Sequence, residues 1–309
     1  MSGGMNLLVT GAWREAETHM DELAAMGHRV VFLRQESDPL PCEAEWVEGV
    51  ICNGLFLHHP IDRFTNLRFI QLTSAGYDRV DMDFVRAHGI EIHNAGGVYS
   101  VPMAEFALCG VLQLYKQAEF FRENRRARRW EKHRGLRELC GKNVTIVGCG
   151  SVGTECAKRF SAFGCRVTGV DIAPRTDAAY DAMLPLEGLD ETLETTDVLV
   201  LCVPLTPETA RLIDGRRLSL MPKAAVVVNI SRGPVLDEAA LAQRLVNGSL
   251  SGAVLDVFET EPLPGDSPLW DAPNLILTTH NSFVGDGNGE RMRGVVMKNL
   301  SAEKAREWL

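Results

Sequence analysis

Three charged segments in the second half of the chain follow apolar runs, and each contains a side chain suited to proton or anion chemistry. These side chains are Arg232, Glu261 and His280. A histidine exchanges protons near neutral pH, and a neighbouring carboxylate orients the imidazole and stabilises its protonated form. An arginine presents a fixed fork of donors to a carboxylate and polarises a carbonyl oxygen. The three residue types therefore suit the oxidation of an alcohol beside a carboxylate.

Each of these residues also has a purely structural explanation. A single Arg, Glu or His at the end of a strand is more often a cap or a member of a surface ion pair. Spacing along the chain does not prove that the three converge. The argument for a shared site is that ligands of open α/β sheets bind outside the carboxyl ends of the strands.

A glycine-rich loop forms a second candidate site. The apolar run Asn143–Val147 is followed by Gly148, Gly150 and Gly153 in the pattern G-x-G-x-x-G, and then by an amphipathic segment. The first glycine would make a tight turn, the second would let the backbone approach a pyrophosphate, and the third would let helix and strand pack closely. Free N–H groups at the start of the helix would bind the anion. The alternative is a plain glycine turn in a doubly wound domain.

An acidic residue after the next apolar run indicates which dinucleotide the loop would bind. Asp171 ends that run, and its carboxylate would accept hydrogen bonds from ribose hydroxyls and repel a 2′-phosphate. The sequence therefore favours NAD over NADP. Arg175 follows closely and is a residue type that accommodates a phosphate, so some use of NADP stays open.

Short apolar runs alternate with helical patterns along the whole chain, which predicts parallel sheets. The predicted helices run from about Arg14 to Met26 and, as one long helix followed by a basic stretch, from Val101 to about Trp130. The first series of predicted strands is Asn6–Thr10, Arg29–Leu33, Gly49–Cys52, Phe69–Leu72 and Ile90–His93. The second series is Asn143–Val147, Arg166–Val170, Val198–Val203, Ala225–Ile230, Gly252–Leu255 and Leu275–Leu277. We therefore predict an α/β protein with two doubly wound parallel-sheet domains.

Length and charge limit the classes of function. The 309 residues suggest two domains, and 32 Lys and Arg against 41 Asp and Glu give a net charge of −9. That balance argues against a general electrostatic grip on nucleic acid or on an anionic membrane. A basic stretch from Arg122 to Arg134 could still contact nucleic acid, but a solvated helix or a subunit contact explains it better.

Cysteine usage and the absence of targeting patterns point to the cytoplasm. No window of 18 apolar residues occurs, and the start of the chain lacks the basic region of a secretion signal. The eight cysteines fall in apolar stretches without a C-x-x-C pair or a neighbouring histidine at metal spacing. They are interpreted as reduced core thiols, and no metal site is expected.

Four ordered segments resemble the D-isomer-specific 2-hydroxyacid dehydrogenases, and the similarity extends over nearly the whole chain. The segments are residues 139–153, 202–209, 229–241 and 252–263. The resemblance implies reversible hydride transfer between NAD(H) and a small anionic (R)-2-hydroxy acid or 2-keto acid. It implies that Arg232 binds the substrate carboxylate and carbonyl, that His280 is the general acid–base, and that Glu261 is its partner. Glu259 is the less favoured partner.

The resemblance also implies the ligand contacts and the domain layout. A Rossmann NAD-binding domain would span residues 100–281, and a flavodoxin-like substrate domain would combine 1–99 with 282–309, with a cleft between them that closes on substrate. Family members are typically homodimers through the NAD-binding domain. The backbone N–H groups of Ala75 and Gly76 would receive the substrate carboxylate, together with Arg232 and His280. The implied cofactor contacts are Gly148, Gly150, Ser151, Val152, Gly153, Asp171, Val203, Pro204, Thr209, Ile230, Ser231, Arg232, Asp256 and His280, with Asp256 near the nicotinamide amide.

Departures from the family pattern leave the particular 2-hydroxy acid open. Tyr77 stands where a small aliphatic residue is common, and His280 is followed by Asn281, Ser282 and Phe283 instead of the frequent Ile-Gly-Gly type. Tyr77 is either a substrate contact or a half-buried loop aromatic.

Two other functions stay open at this point. One is an NAD(H)-sensing, corepressor-like interaction protein, which would not need an intact acid–base pair. The other is a dehydrogenase for formate or phosphonate, although formate enzymes usually have Gln as the histidine's partner.

Overall fold

A computed structural model describes residues 4–306, with side chains described for residues 4–301. The chain divides into two compact units, one formed by Met1–Val98 with Gly285–Leu309 and the other by Tyr99–Val284. The sequence-based expectations about a secretion signal and about the end of the first domain fall partly on residues 1–3 and 307–309, outside the described residues. Within residues 4–306, no helix is both long enough and apolar enough to cross a membrane.

The first unit contains a five-stranded parallel sheet. Its strand order is β2-β1-β3-β4-β5, which is the order of flavodoxin-like folds. The central strands β1, β3 and β4 are buried at every position, as expected for parallel strands covered on both faces. The elements are β1 (Asn6–Thr10), α1 (Ala16–Ala25), β2 (Arg29–Leu33), β3 (Gly49–Cys52), β4 (Phe69–Leu72), α2 (Met82–Ala87) and β5 (Glu91–His93), with short 3-10 helices at Ala44–Trp46, Leu55–Leu57 and Ile61–Arg63.

The second unit contains a seven-stranded parallel sheet in the order β12-β11-β10-β9-β6-β7-β8. The order reverses between β6 and β9, and such a switch point is where doubly wound folds bind dinucleotides. The elements are α3 (Ser100–Tyr115), α4 (Ala118–Arg126), β6 (Asn143–Val147), α5 (Ser151–Ala162), β7 (Arg166–Val170), β8 (Ala182–Leu184), α6 (Leu189–Leu193), β9 (Val198–Leu201), α7 (Gly215–Leu220), β10 (Val226–Asn229), α8 (Glu238–Val246), β11 (Gly252–Leu255) and β12 (Leu275–Leu277), with 3-10 turns at Leu186–Gly188, Gly233–Val235 and Pro268–Asp271. The predicted fold class, two doubly wound parallel-sheet domains, is confirmed.

The last helix, α9 (Asn288–Arg306), belongs to the first unit. Its Arg293 forms a two-point ion pair with Glu22 of α1, and Asn299 donates a hydrogen bond to Gln71 of β4 at 2.7 Å. Arg291 donates to the carbonyl oxygen of Val98 at 2.7 Å. The returning segment is therefore fixed to the unit in which the chain starts.

Two sequence-based predictions about the second unit are wrong. The predicted long helix from Val101 to Trp130 is two helices, because Gln117 adopts a left-handed conformation (φ 51°) and breaks the hydrogen-bond ladder between α3 and α4. Cys109 and Cys140 are exposed, so these two are not core thiols. Cys109 lies on an outward-facing position of α3, where the apolar sequence around it belongs to the buried face of the same helix.

Candidate active site

Three neighbouring strands, β10, β11 and β12, deliver the predicted catalytic residues to one edge of the sheet of the second unit. Because the strands are parallel, the segments that follow them emerge at the same edge. Arg232 follows β10, Glu261 lies in the segment after β11, and His280 follows β12. Strand order alone therefore places the arginine, the glutamate and the histidine near the carboxyl end of the sheet.

His280 and Glu261 form a hydrogen-bonded pair. The histidine Nδ1 lies 2.8 Å from Glu261 Oε2, and the other carboxylate oxygen accepts from the backbone N–H of Phe258 at 3.0 Å. The two side chains are 42% and 37% exposed, so the pair is accessible to a ligand. A carboxylate at Nδ1 orients the imidazole and leaves Nε2 to exchange a proton. The structure brings Glu261, and not Glu259, to His280.

A buried carboxylate holds the segment that carries His280. Asp256 is 1% exposed, and its oxygens accept hydrogen bonds from Thr278 Oγ1 (2.6 Å), Asn281 N (2.7 Å) and Ser282 N (2.9 Å). The carbonyl oxygen of Asp256 also accepts from the N–H of His280 at 2.8 Å. His280 itself has φ 52°, a left-handed conformation that is unfavourable for a residue with a Cβ. Asp256 therefore fixes a segment whose backbone would not adopt this shape by preference.

The arginine is presented by a turn that a buried asparagine holds in place. Asn229, at the end of β10, accepts at Oδ1 from the N–H and the hydroxyl of Ser231, and its Nδ2 donates to the carbonyl oxygen of Arg232 at 3.1 Å. The guanidinium of Arg232 donates to the Ser231 carbonyl oxygen at 2.8 Å, and the residue is half-buried. One side chain thus sets the direction in which the chain leaves β10.

The glycine loop lies at the switch point between β6 and β9. Gly148 has φ 93°, and a Cβ there would lie 2.7 Å from the carbonyl carbon of Cys202, just after β9. A Cβ on Gly153 would lie 2.1 Å from the Gly148 carbonyl oxygen. A Cβ on Gly150, in contrast, would meet no atom within 4 Å, so the space in front of this residue is open. The loop is closed toward the protein and open at the position predicted for a pyrophosphate.

The N-terminus of α5 has unpaired N–H groups with partial positive charge and no acidic residue in its first turn, which favours binding of an anion. The helix starts at Ser151, which is exposed, continues with the half-buried Val152, and has no acidic residue in its first turn. The first N–H groups of a helix lack intrahelical partners and carry a partial positive charge. These residues therefore fit the phosphates of a dinucleotide.

Asp171 and Arg175 both bond to the peptide groups of Cys149 in this loop. Asp171 Oδ2 accepts from the N–H of Cys149 at 2.7 Å, its Oδ1 accepts from Ala173 N at 3.0 Å, and Arg175 donates to the Cys149 carbonyl oxygen at 2.7 Å. Burial raises the pKa of the Cys149 thiol to about 11, so the thiol is neutral at pH 7. The bond from Arg175 to the loop has no signal in the sequence, because it depends on how β7 places the following turn.

The other predicted cofactor contacts differ in what they expose. Val203 is half-buried, while Pro204 is exposed and its carbonyl oxygen accepts from Thr209 Oγ1 at 2.7 Å. Ile230 and Ser231 are 1% and 6% exposed, and the Ser231 hydroxyl is already bonded to Asn229. The hydroxyl of Thr209 stabilises its own loop, because it donates a hydrogen bond to the carbonyl oxygen of Pro204.

Two side chains hold the predicted substrate loop of the first unit. The carbonyl oxygens of Ala75 and Gly76 accept hydrogen bonds from Asn94 Nδ2 (2.7 Å) and Ser74 Oγ (2.9 Å). Within the part of the chain that the structure describes, the N–H groups of Ala75 and Gly76 form no hydrogen bond. Tyr77 is 38% exposed.

Among the described residues, no group of three His, Cys, Asp or Glu side chains is placed to hold a metal ion.

Comparison with known proteins gives a consistent result. Residues 108–282 match the family model described as D-isomer specific 2-hydroxyacid dehydrogenase, NAD binding domain. The chain is 34% identical over 250 residues to a glyoxylate reductase of Thermofilum pendens, which covers 78% of this chain and 73% of the relative. It is 34% identical over 240 residues to an (S)-sulfolactate dehydrogenase of Chromohalobacter salexigens, with 77% and 78% covered.

Solved structures agree with these relatives over nearly the full length. A D-isomer specific 2-hydroxyacid dehydrogenase family protein from Aeromonas salmonicida superposes with a TM-score of 0.83 at 29% identity, covering 96% of this chain and 94% of that chain. A D-isomer specific 2-hydroxyacid dehydrogenase from Xanthobacter autotrophicus, solved with NADPH and MES, superposes with a TM-score of 0.78 at 27% identity, with 97% and 96% covered.

A dinucleotide loop and a histidine–glutamate pair at the carboxyl edge of one parallel sheet define a nicotinamide-dependent oxidoreductase. With the matches above, the chain belongs to the D-isomer specific 2-hydroxyacid dehydrogenase family. The sequence-based predictions of the family, of an enzyme and of NAD as its cofactor are confirmed. The preference for NAD over NADP stays a prediction.

Proposed function

We propose that this enzyme interconverts a small (R)-2-hydroxy acid and its 2-keto acid with NAD(H), using Arg232, Glu261 and His280 as its catalytic residues. The observation that carries the proposal is the 2.8 Å contact between His280 Nδ1 and Glu261 Oε2 in segments that follow neighbouring strands. A pair that only stabilised the fold would not have to be accessible to a ligand, yet both side chains are more than one third exposed.

The residues of the chain divide the chemistry between them. NAD(H), when bound, would supply or accept the hydride at C2 of the substrate. In reduction, His280 donates the Nε2 proton to the carbonyl oxygen, and Glu261 offsets the charge of the imidazolium before transfer. Arg232 holds the carboxylate and polarises the carbonyl through its fork of donors. In oxidation the same imidazole accepts the hydroxyl proton.

The cofactor contacts form the second part of the proposal. Gly148, Gly150 and Gly153, with Ser151 and Val152 at the start of α5, would hold the pyrophosphate, and Asp171 would face the adenosine ribose. The open space at Gly150 and the absence of acidic residues in the first turn of α5 support this assignment. The remaining residues assigned to the cofactor are Val203, Pro204, Thr209, Ile230, Ser231, Arg232, Asp256 and His280.

The first unit is proposed to act as the substrate domain. The N–H groups of Ala75 and Gly76 are the donors assigned to the substrate carboxylate, and their carbonyl oxygens are held by Asn94 and Ser74. Relatives named for glyoxylate and for sulfolactate make small anionic 2-keto acids the first compounds to test.

A homodimer formed through the second unit is also proposed. The segment after α4 has no helix or strand, and it holds Trp130, which is 98% exposed. A cavity of about 740 Å³ lies against this segment, lined in part by Phe121, Arg129 and Leu136. Light scattering of the purified protein tests the dimer, and a monomer at micromolar concentration would refute it.

A cytoplasmic location is proposed because the eight cysteines are free thiols.

The experiment that tests the reaction compares His280→Ala with His58→Ala. His58 is exposed and outside the proposed site, so its replacement controls for loss of a surface imidazole. We expect His280→Ala to lower 2-keto acid reduction at saturating NADH by about 10²- to 10⁴-fold. Because His280 is one of many residues assigned to the cofactor, NADH binding by fluorescence should weaken far less than the rate falls. An unchanged rate would refute the acid–base assignment, and a lowered melting temperature would indicate a damaged fold instead.

A further inference from the structure

One peptide group connects the two sides of the proposed active site. The segment after β11 turns at Phe258 and Glu259, and a Cβ on Gly233 would lie 1.8 Å from the carbonyl carbon of Phe258. Gly233 directly follows Arg232, so the peptide between Phe258 and Glu259 packs against the backbone that presents the arginine.

The N–H groups of the same turn are held by two carboxylates. The N–H of Phe258 donates to Glu261 Oε1 at 3.0 Å, and the next N–H, that of Glu259, donates to Glu238 Oε1. Glu261 is the partner of His280. A shift of this peptide would therefore move the acid–base pair relative to the arginine.

Glu238 is the first residue of α8 and bonds to the turn in both directions. Its own N–H donates to Glu259 Oε1 at 3.4 Å, while its carboxylate accepts from the Glu259 N–H. The helix start is itself fixed, because Asp237 caps it by accepting from Ala240 N at 2.9 Å. The carboxylate of Glu238 thus connects a rigid helix terminus to the turn that carries Glu261.

We propose that Glu238 is a positioning residue for this enzyme, which holds the Phe258–Glu259 peptide so that Glu261 and His280 keep their alignment with Arg232. This role rests on the proposed function of those three residues. The side chain of Glu238 bonds to the N–H of Glu259, and through it Glu238 acts on the backbone of the turn.

The charge on Glu238 makes this role dependent on pH. Partial burial, with further contributions from the charges of Glu259 and Glu261, raises the pKa of Glu238 to about 7. Asp237 pairs with Arg211, and the nearby cations of α7, Arg216 and Arg217, both pair with Asp190, so these groups are engaged elsewhere. Above neutral pH the bond to the turn is charge-assisted and stronger, and below it the acceptor is a neutral carboxyl.

The test uses two substitutions at Glu238 and one control. Glu238→Gln keeps an acceptor oxygen and the side-chain shape but has no charge at any pH, whereas Glu238→Ala removes the acceptor. Glu194→Gln makes the same chemical change at an exposed residue outside the site. The readouts are kcat for 2-keto acid reduction from pH 6 to 9, the Kd of NADH and the melting temperature.

We expect Glu238→Ala to lower kcat about tenfold with a Kd for NADH within twofold of the wild type, because the turn is displaced and the glycine loop is not. The ratio of wild-type to Glu238→Gln kcat should be about one at pH 6 and rise to about fivefold above pH 8, since the charge-assisted bond exists only in the wild type. The control should give a ratio of one throughout.

Two results would overturn the proposal. If the ratio of wild-type to Glu238→Gln kcat does not change with pH, the charge of Glu238 has no role in catalysis and the residue is merely structural. If Glu238→Ala has the kcat of the wild type, Glu238 does not position the catalytic residues at all. If Glu238→Ala does not fold, the isosteric Glu238→Gln still decides. A folded wild-type chain without activity on any 2-keto acid would instead refute the proposed function, and the positioning role would fall with it.

Discussion

The buried carboxylate of Asp256 allows a direct test of how the histidine segment is held. Its two oxygens accept three hydrogen bonds from Thr278, Asn281 and Ser282, at 2.6 to 2.9 Å. Asp256→Asn preserves the shape of the side chain but replaces one acceptor oxygen with an NH₂ donor. Whichever way the amide turns, its NH₂ group faces a backbone N–H, either that of Asn281 or that of Ser282, and cannot accept a hydrogen bond from it.

The magnitude follows from the bonds that change. Losing a charge-assisted hydrogen bond costs roughly 1.5–3 kcal/mol, and leaving a buried donor unsatisfied costs roughly 1–3 kcal/mol. Relief from burying a carboxylate that is 1% exposed offsets part of this loss. We therefore expect Asp256→Asn to lower the free energy of unfolding by about 1–3 kcal/mol. Because His280 moves with the segment, kcat should fall about 10- to 100-fold.

The assay combines denaturant unfolding with steady-state kinetics. Asp266→Asn is the matched control, because Asp266 is exposed in the loop that follows Glu261. Thr278→Val is a second perturbation that removes one donor without changing side-chain volume, and it should cost about 1 kcal/mol. NADH affinity is measured alongside, since Asp256 is also assigned to the nicotinamide amide in the proposed cofactor site.

Wild-type kcat and stability in Asp256→Asn would refute the claim that this carboxylate holds the histidine segment. A loss of NADH affinity without loss of kcat at saturation would assign Asp256 to cofactor binding alone. A fall in kcat with unchanged NADH affinity would assign it to positioning alone.

Three further predictions concern the glycine loop and Glu238. Gly153→Ala forces a Cβ to within 2.1 Å of the Gly148 carbonyl oxygen, so NADH binding by fluorescence titration should weaken and stability should drop by roughly 1–3 kcal/mol; an unchanged Kd would contradict the loop assignment. Asp171→Asn keeps an acceptor for Cys149 but removes the charge, so the ratio of kcat/KM for NADPH to that for NADH should rise about tenfold. No rise would contradict the ribose assignment. Because the pKa of Glu238 is raised to about 7, the native state keeps a proton that the unfolded state releases, and wild-type stability should fall as pH rises from about 4.5 through 7. Glu238→Gln lacks this loss. After discounting for solvent screening, the free energy of unfolding of Glu238→Gln should exceed that of the wild type by about 1 kcal/mol at pH 8 and should equal it at pH 4.5. Equal stability at pH 8 would contradict the burial of this charge.

The sheets were predictable because parallel strands covered on both faces are continuous apolar runs. β1, β6 and β11 have the bounds that the sequence predicts. The strand β8 was missed, since it is a three-residue edge strand with one exposed and two half-buried positions. The break at Gln117 was missed because neither Gly nor Pro marks it, and the left-handed residue there is one that rarely adopts that conformation.

The residues proposed to do the chemistry were predictable from type and motif, whereas those that hold them were not. Arg232 and His280 stand out because each is a reactive side chain shortly after an apolar strand. Glu238 stands 21 positions before Glu259 in the sequence, and only the packing of α8 against the turn brings them together. Arg175 is a similar case, because its bond to the loop runs back over 26 positions.

The same hydrogen bonds explain how a chain with a net charge of −9 can bind an anionic cofactor and substrate. A carboxylate that faces an anion repels it, but a carboxylate bonded to main-chain N–H groups has its charge partly neutralised and directed inward. Five acidic residues around the proposed site of the second unit have such a bond, and in this unit Arg232 and the N-terminus of α5 are the donors proposed to face ligands. The pairs are Asp171 with Cys149 and Ala173, Glu238 with Glu259, Asp256 with Asn281 and Ser282, Glu259 with Glu238, and Glu261 with Phe258. We therefore infer that these acidic side chains hold the backbone of the site in place, and that anionic ligands are attracted by nearby donor groups and not by the overall charge of the chain.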